Sequence, residues 1–338
     1  MSRTLNVGVV GATGLVGEIF LQLLDQRKFP VGQLRLFASD RSKGQTRLFR
    51  NKSVPIETPS AERFKGLDLV FFSSGDDISR EWAPEAVKAG AFAIDNSAAF
   101  RMDPDKLLCV PEVNGHLLPK PGHPALIANP NCSTIQLVVA LCPLLKAFGI
   151  ESVHVASYQA VSGAGKAGQE ELGTQLTAWA KDQPIPSPQA FPHSIAMNCI
   201  PQIGSFNEAG FCSEEMKIMR ETKKILGTQD IRVSAFTVRI PAWNAHSEAV
   251  WVRLRRKVSR ADFLTSLASQ EGLSLHDSDY PLALKCSGTD PVAVGRLHQD
   301  IDDPQTWMMW VVADNLRKGA ALNGIQIAER IFDIKSHP

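Results

Sequence analysis

The sequence reads as an α/β protein whose first part is a doubly wound parallel sheet and whose second part is an α+β region with a mostly antiparallel sheet. Three observations predict this. Residues 5–100 alternate short apolar runs with helical patterns. Near Asn131 the texture changes to long, alternating, β-branched segments. With 338 residues, 44% of them hydrophobic, the chain is long enough for two cores, since a single core stops growing at roughly 250–300 residues.

In order, LNVGVV is a strand, LVGEIFLQLLDQ an amphipathic helix, QLRLFA and LDLVFFS strands, EWAPEAVKAG a helix and AFAIDN a strand. Strands separated by single helices predict parallel pairing. STIQLVVALCPLLKAF is a helix by its length and apolar spacing, and ESVHVASYQAV, DIRVSAFTVRI and EAVWVRLRRKV alternate as strands. Between them KDQPIPSPQAFPHSIAMNCIPQIG reads as a long irregular loop, of the kind that forms lids, partner contacts or active-site borders. WMMWVVADNLRKGAALNGIQIAERIF is a strand and then a long amphipathic helix, expected to return to the first domain. The expected division is 1–131 plus 314–338 for the first domain and 132–313 for the second.

Lysine and arginine number 36 against 35 acids, a formal charge of +1, so no basic stripe points to nucleic acid or a membrane surface. A small molecule is the default partner. The six cysteines stand singly, without the paired spacing of a zinc site or the density of a secreted scaffold, which suits reduced cytosolic thiols and no metal. Met1 to Thr4 lead straight into LNVGVVG, so no export signal is expected. No apolar run approaches the 18 or so residues of a spanning helix.

Glycines at 11, 14 and 17 fall directly after the first strand and at the mouth of the first helix. A side chain there would hold a pyrophosphate away from the helix N-terminus, where unpaired N–H groups and the dipole favour an anion. In this position the triplet points to a Rossmann-type dinucleotide site; glycines that merely let helix and strand pack closely are the plainer alternative. After the second strand, Ser39, Asp40, Arg41, Ser42 and Lys43 offer two hydroxyls and two cations, which favour a 2′-phosphate and hence NADP. Asp40 could instead serve as a ribose acid, and is expected to point away.

A lone cysteine is usually a small buried hydrophobe. Cys132 differs because it follows Asn129-Pro130-Asn131 and opens a long helix, whose N-terminus favours thiolate and whose Ser133 and Thr134 could lend N–H groups to an oxyanion. His246, in RIPAWNAHSE, is a candidate base, although such a residue is more often structural. His116, His123, His154, His193, His276, His298 and His337 lack comparable neighbours. Arg239 ends an alternating strand, where a cation is costly unless it holds a carboxylate. Arg101 lies just beyond a strand end, and Glu214 and Lys217 share a helix face, which fits either an anion site or a capping acid with a solvated lysine. SYQAVSGAG allows the backbone to approach a flat ring, or is a plain loop.

Together GATGLVG, NSAAFR, PNCST, SYQAVSGAG, EEMK, RIP followed by AHSEAV, and ADNLRKGAALN resemble the aspartate-β-semialdehyde dehydrogenase family over essentially the whole chain. The resemblance implies Cys132 as nucleophile, His246 as acid/base and Gln159 as the residue orienting the acyl intermediate. It implies that Arg239 and Glu214 hold the substrate's carboxylate and amine, that Arg101 and Lys217 hold phosphate, and that Asn131 also serves the substrate. NADP is implied on Gly11, Ala12, Thr13, Gly14, Leu15 and Val16, on Ser39, Arg41 and Ser42, on Ser162 and Gly163, and on Asn315.

The implied reaction is attack of the Cys132 thiolate on L-aspartyl-4-phosphate, loss of phosphate to give a thioester, reduction by hydride from NADPH, and protonation by His246 of the collapsing oxyanion. That step belongs to lysine, threonine, methionine and isoleucine biosynthesis. The family also implies a homodimer or homotetramer; residues 183–204 and the second-domain sheet are the expected meeting surfaces, although a monomer's lid would read the same way in sequence.

One departure stands out: Ala245 precedes the histidine where the family usually has glycine, a cost of about 1 kcal/mol if φ is positive there. N-acetyl-γ-glutamyl-phosphate reductase is the nearest rival, but an acid such as Glu214 would have no free amine to meet in it. A noncatalytic paralogue would be expected to lose Cys132.

Overall fold

The computed structural model describes residues 4–335. It divides into two compact units, one running to Asn131 and resuming at Ala320, the other spanning Cys132–Gly319.

The first unit opens with β1 (Leu5–Val10), α1 (Leu15–Gln26) and β2 (Val31–Phe37). A hairpin of β3 (Thr46–Phe49) and β4 (Lys52–Glu57) follows, then α2 (Ala61–Phe64), β5 (Leu69–Phe72), α3 (Asp76–Lys88) and β6 (Phe92–Asp95). Next come β7 (Leu107–Leu108), α4 (Pro111–Asn114) and β8 (Leu126–Ala128). These form an eight-stranded sheet in the order β3-β4-β2-β1-β5-β6-β8-β7, parallel except for the hairpin. The central strands are buried on both faces, which is why LVFF and the FAI of FAID read as apolar runs. Hairpin β3–β4 went unread in the sequence because TRLF and KSVPIE are largely polar and half-exposed.

The second unit holds α5 (Cys132–Phe148), β9 (Ile150–Gln159), α6 (Gly165–Ala180), α7 (Ser213–Leu226), β10 (Arg232–Arg239) and β11 (His246–Leu254). It continues with α8 (Arg260–Ala268), β12 (Leu273–His276), α9 (Ala283–Cys286), β13 (Val292–Gln299) and β14 (Thr306–Ala313). The sheet order is β10-β9-β11-β14-β13-β12, with antiparallel pairing at its centre and parallel pairs at both edges. Residues between α6 and α7 carry no regular helix or strand beyond isolated bridges, as the proline content predicts. Phe191, Ile195, Ala196 and Ile200 nevertheless anchor the loop in a small core with Leu172 of α6.

After β14 a π-helical turn (Arg317–Ala321) leads into α10 (Leu322–Ile331), which packs beside α1 and β6 in the first unit. A buried bidentate pair, Arg27 to Glu329 at 2.8 and 2.9 Å, pins its end. Residues 314–319, expected with the first domain, group with the second unit, because Asp314 and Asn315 bond Asn244 and Ala245 and Gly319 lies against Cys132. Among the described residues no helix is long and apolar enough to cross a membrane, and no cluster of His, Cys, Asp and Glu could hold a metal ion.

Candidate active site

In the first unit the candidate dinucleotide-site residues sit at the C-terminal edge of the parallel sheet. Gly11 has φ +86°, and an added Cβ there would lie 2.8 Å from the Ser73 backbone. A Cβ on Gly17 would lie 2.2 Å from the Gly11 carbonyl oxygen, so α1 approaches the β1 turn as closely as main chain allows. Gly14 precedes α1 in an extended conformation and no side chain caps that helix among the described residues. A helix start whose cap residue has no side chain leaves N–H groups able to meet an anion. Ala12, Thr13, Leu15 and Val16 form the rest of this turn and helix start. Ser39 precedes a single 3-10 turn, Asp40–Ser42, just beyond β2, and Ser39, Asp40 and Arg41 are exposed there.

Arg101 is buried, donating from Nε to the Asn129 carbonyl at 2.9 Å and from Nη2 to the Asn96 carbonyl at 2.8 Å. Near it Asp95 accepts the Ser79 and Ser97 hydroxyls at 2.7 Å each. Burial pushes the Asp95 carboxyl up in pKa, and those hydroxyls and Arg101 offset part of the rise. A chain of amides, Asn323 to Asn129 at 2.7 Å and Asn129 to Asn96 at 2.5 Å, ties α10 to the ends of β8 and β6. Asn131, also buried, ends this unit.

In the second unit Cys132 is the first residue of α5, half-buried, with Ser133 and Thr134 buried behind it. Sequence reasoning missed Gly319: a Cβ there would sit 2.9 Å from that of Cys132, so only glycine clears the cysteine. The small-residue run KGAA was its only signal.

The sheet beside α5 supplies the rest. Arg239 at the end of β10 registers with Gln159 at the end of β9, and His246 begins β11. Gly163 gauges how tightly these converge, for an added Cβ would lie 2.6 Å from Arg239 Nη1 and 3.2 Å from His246 Nε2. The glycine of SYQAVSGAG is what admits both side chains. Ser162 is buried, its hydroxyl 2.9 Å from Asn315 Oδ1 and 3.0 Å from Asn244 Oδ1.

His246 is wholly buried, unlike the other described histidines; His337 lies outside the described residues. The Ala160 N–H donates to His246 Nδ1 at 3.1 Å, which assigns the proton of a neutral ring to Nε2. Among the described residues Nε2 has no hydrogen-bond partner. Burial first, and the neighbouring Arg239 cation second, hold the imidazole well below its ordinary pKa of 6.5; the Ala245 backbone opposes them weakly. The site therefore presents a neutral histidine with a free Nε2–H.

Ala245 does adopt positive φ, +68°, and its N–H donates to Asn315 Oδ1 at 3.0 Å. Asp314, a second residue that sequence reasoning missed, accepts from Asn244 Nδ2 at 2.8 Å and from the Gly288 N–H at 2.7 Å.

Arg239 donates to the Ala160 carbonyl at 2.8 Å. Burial pulls its pKa down, while Glu214 and Cys132 hold it up, so cation, carboxylate and sulfur share one field. Glu214 accepts from Gln159 Nε2 at 3.3 Å and lies 3.4 Å from Lys217 Nζ. The capping role belongs to the next residue: Glu215 accepts the Cys212 N–H at 2.9 Å and the Thr237 N–H at 3.1 Å. Glu214 is buried, and Lys217 stays partly exposed.

Family models match both units: "Semialdehyde dehydrogenase, NAD binding domain" over residues 6–120 and "Semialdehyde dehydrogenase, dimerisation domain" over residues 141–318. The aspartate-semialdehyde dehydrogenase of Aquifex aeolicus is 45% identical over 328 residues, covering 96% of each chain. That of Bacillus subtilis is 43% identical over 343 residues, covering 98% of each. The crystal structure of aspartate semialdehyde dehydrogenase II from Vibrio cholerae, complexed with ASA, superposes with a TM-score of 0.95 at 42% identity, covering 98% of this chain and 99% of that one. The chain belongs to the semialdehyde dehydrogenase family and, within it, to the aspartate-semialdehyde dehydrogenases.

Proposed function

We propose that the chain interconverts L-aspartyl-4-phosphate and L-aspartate-4-semialdehyde through a thioester on Cys132, with NADP as the redox cofactor. The observation that carries this is the buried neutral His246 with a free Nε2–H, set on one sheet face with Gln159 and Arg239 in the unit whose first residue is Cys132.

The Cys132 sulfur adds to the acyl carbon, the carbon–oxygen bond to phosphate breaks, and the thioester remains on the enzyme. Arg101 and Lys217 are the cations for the departing phosphate, a dianion whose desolvation needs counter-charge. Arg239 and Glu214 pair with the substrate's carboxylate and amine, and Gln159, already bonded to Glu214, holds the acyl group in line. His246 offers Nε2–H to the oxygen that becomes negative when the thioester is reduced and when the aldehyde is attacked. Because Nδ1 is occupied by the Ala160 N–H, the ring works as a donor at Nε2.

A dinucleotide fits the first unit: Gly11 and Gly17 leave a cradle that any Cβ would fill, beside the uncapped start of α1. Gly11 to Val16 would hold the pyrophosphate, and Ser39, Arg41 and Ser42 a 2′-phosphate, which favours NADP over NAD. Ser162, Gly163 and Asn315 would border the nicotinamide. When bound, that ring supplies or accepts the hydride.

A homodimer, or a pair of dimers, is part of the same reading. The sheet face away from α5 and α7 exposes Tyr158, Trp251 and Phe236, a patch suited to a second copy. Six free thiols, five of them buried or half-buried, suit the cytoplasm.

The test is a spectrophotometric assay with L-aspartate-4-semialdehyde, phosphate and NADP. NADPH should form with wild-type protein, arsenate should replace phosphate, and Cys132→Ala should lose at least about 10⁴-fold in kcat. No NADPH from the wild type, or undiminished turnover by the variant, sinks the proposal. Running NAD in parallel decides the cofactor.

A further inference from the structure

Glu248 is a wholly buried acid that the chemistry above leaves unused. It follows His246 by two residues in β11, so strand alternation turns both side chains to the same face of the sheet. Gln136 follows Cys132 by four residues in α5, one helical turn on. Two strand residues advance about 6.6 Å and four helical residues about 6 Å, so the second pair sits one rung below the first.

Both side chains are essentially inaccessible to water, Glu248 at 0% and Gln136 at 1%. Their polar ends face each other, the Gln136 amide drawing the carboxyl toward the acidic side while burial pushes it more strongly the other way. Yet neither carboxyl oxygen and neither amide atom makes a well-formed hydrogen bond among the described residues. The strand neighbours of Glu248 are Ser157 on β9 and Val311 on β14, and neither is a cation. The Ser157 hydroxyl accepts from Gln159 Nε2 at 3.3 Å, so the pair also borders the residue that orients the acyl group.

A buried acid without a cation is held neutral, and a neutral acid and a primary amide are complementary. In such a pair the acid O–H would donate to Gln136 Oε1 and one amide N–H to the remaining carboxyl oxygen, leaving one amide N–H and spare lone pairs.

We propose that Glu248 and Gln136 close as an acid–amide pair that locks α5 onto β11 one rung beneath Cys132 and His246, making Glu248 a positioning residue for the nucleophile. The inference rests on the reading of Cys132 as that nucleophile. It assigns Glu248 no contact with substrate; its effect passes through the depth at which the first turn of α5 is held.

Full-length E248Q, E248M and the swapped double variant Q136E/E248Q test it. Each is measured for kcat, for KM and for the rate at which iodoacetamide labels Cys132, followed by peptide mass spectrometry. E248Q keeps a neutral hydrogen-bonding partner and should stay within about threefold of wild type in kcat. E248M keeps the volume and loses the pairing; it should retain KM within about twofold, lose at least about tenfold in kcat and label at an altered rate. The swap restores acid opposite amide and should match E248Q.

E248M equal to E248Q in kcat and labelling would reduce the pair to packing, and E248Q as impaired as E248M would mean that an ionised carboxylate is required. Either result overturns the proposal. Where E248M fails to fold, the swap decides, since recovery supports the pair and loss refutes it. Failure of the underlying reading shows elsewhere, as turnover that survives Cys132→Ala.

Discussion

In the first unit the parts that would meet a ligand are mostly main chain: the Gly11 turn, the uncapped start of α1 and the carbonyls that fix Arg101. In the second unit they are side chains that hold one another, with Gln159 on Glu214, Arg239 near His246, and Asn315 on Ala245 and Ser162. The first arrangement is steric and tolerates many side chains around a few glycines. The second is electrostatic, and each member sets its neighbour's charge or tautomer. Substitutions should accordingly fail all-or-none in the first unit and by degrees in the second.

The largest expected effect after loss of Cys132 is Gly17→Val. Its Cβ would start 2.2 Å from the Gly11 carbonyl oxygen, so the turn must open. Fluorescence titration should show NADPH affinity weakened at least about 100-fold, equivalent to roughly 3 kcal/mol. Iodoacetamide labelling of Cys132 should persist, because the second unit carries its own core. Unchanged NADPH binding would break the contrast at its first term.

The same contrast explains what could be read from sequence. The β1 turn needs glycine for reasons confined to a few residues, so GATGLVG announces it, and Cys132 at a helix start is equally local. His246 is a different matter: its tautomer depends on the Ala160 N–H, 86 positions away. Clearance at Cys132 depends on Gly319, which the fold brings from the far end of the unit. Helix α6 went unread because GKAGQEELGTQLTAWA begins on glycine and is only weakly amphipathic. Glu214 and Glu215 cannot be told apart by spacing; only the bonds of Glu215 to Cys212 and Thr237 show that Glu215 caps the helix.

Next in size is Arg239→Lys. Lysine keeps the charge but loses the planar fork that spans the Ala160 carbonyl and the region of Glu214. We expect a loss of about 3 kcal/mol, roughly 10²-fold in kcat/KM, borne mainly by KM for the semialdehyde. Steady-state kinetics check it, and a loss confined to kcat would mean that Arg239 acts on His246 rather than on substrate.

His246 gives a smaller, pH-dependent effect. Its folded-state pKa is held well below 6.5, so on acidification the unfolded chain binds the proton first. Its stability contribution is complete above pH 6.5 and is lost as pH falls through that value toward the folded pKa. Chemical denaturation of His246→Gln between pH 5 and about 8 should show a shallower acid-side decline than wild type. A parallel decline in both would place the ring's proton equilibrium near its ordinary value and remove the neutral-donor assignment.

Ala245→Gly is the smallest change and bears on the finest point of the comparison. Ala245 sits at φ +68°, where a Cβ costs about 1–2 kcal/mol, while glycine loses about 0.5–1 kcal/mol in unfolded-chain entropy. The net gain on substitution is therefore about 0.5–1 kcal/mol, or a rise of about 2 °C in Tm for a unit of this size. The strained conformation is held by the Ala245 N–H on Asn315 Oδ1, and Asn315 also meets the Ser162 hydroxyl. Glycine keeps that bond, so kcat should change less than about twofold. Asn315→Ala should then be worse tolerated by the natural chain than by the Ala245→Gly background, because only alanine needs the bond to hold its φ. Equal costs in the two backgrounds, measured by a double-mutant cycle in Tm, would mean that the bond serves Ser162 alone and that the histidine loop keeps its shape without it.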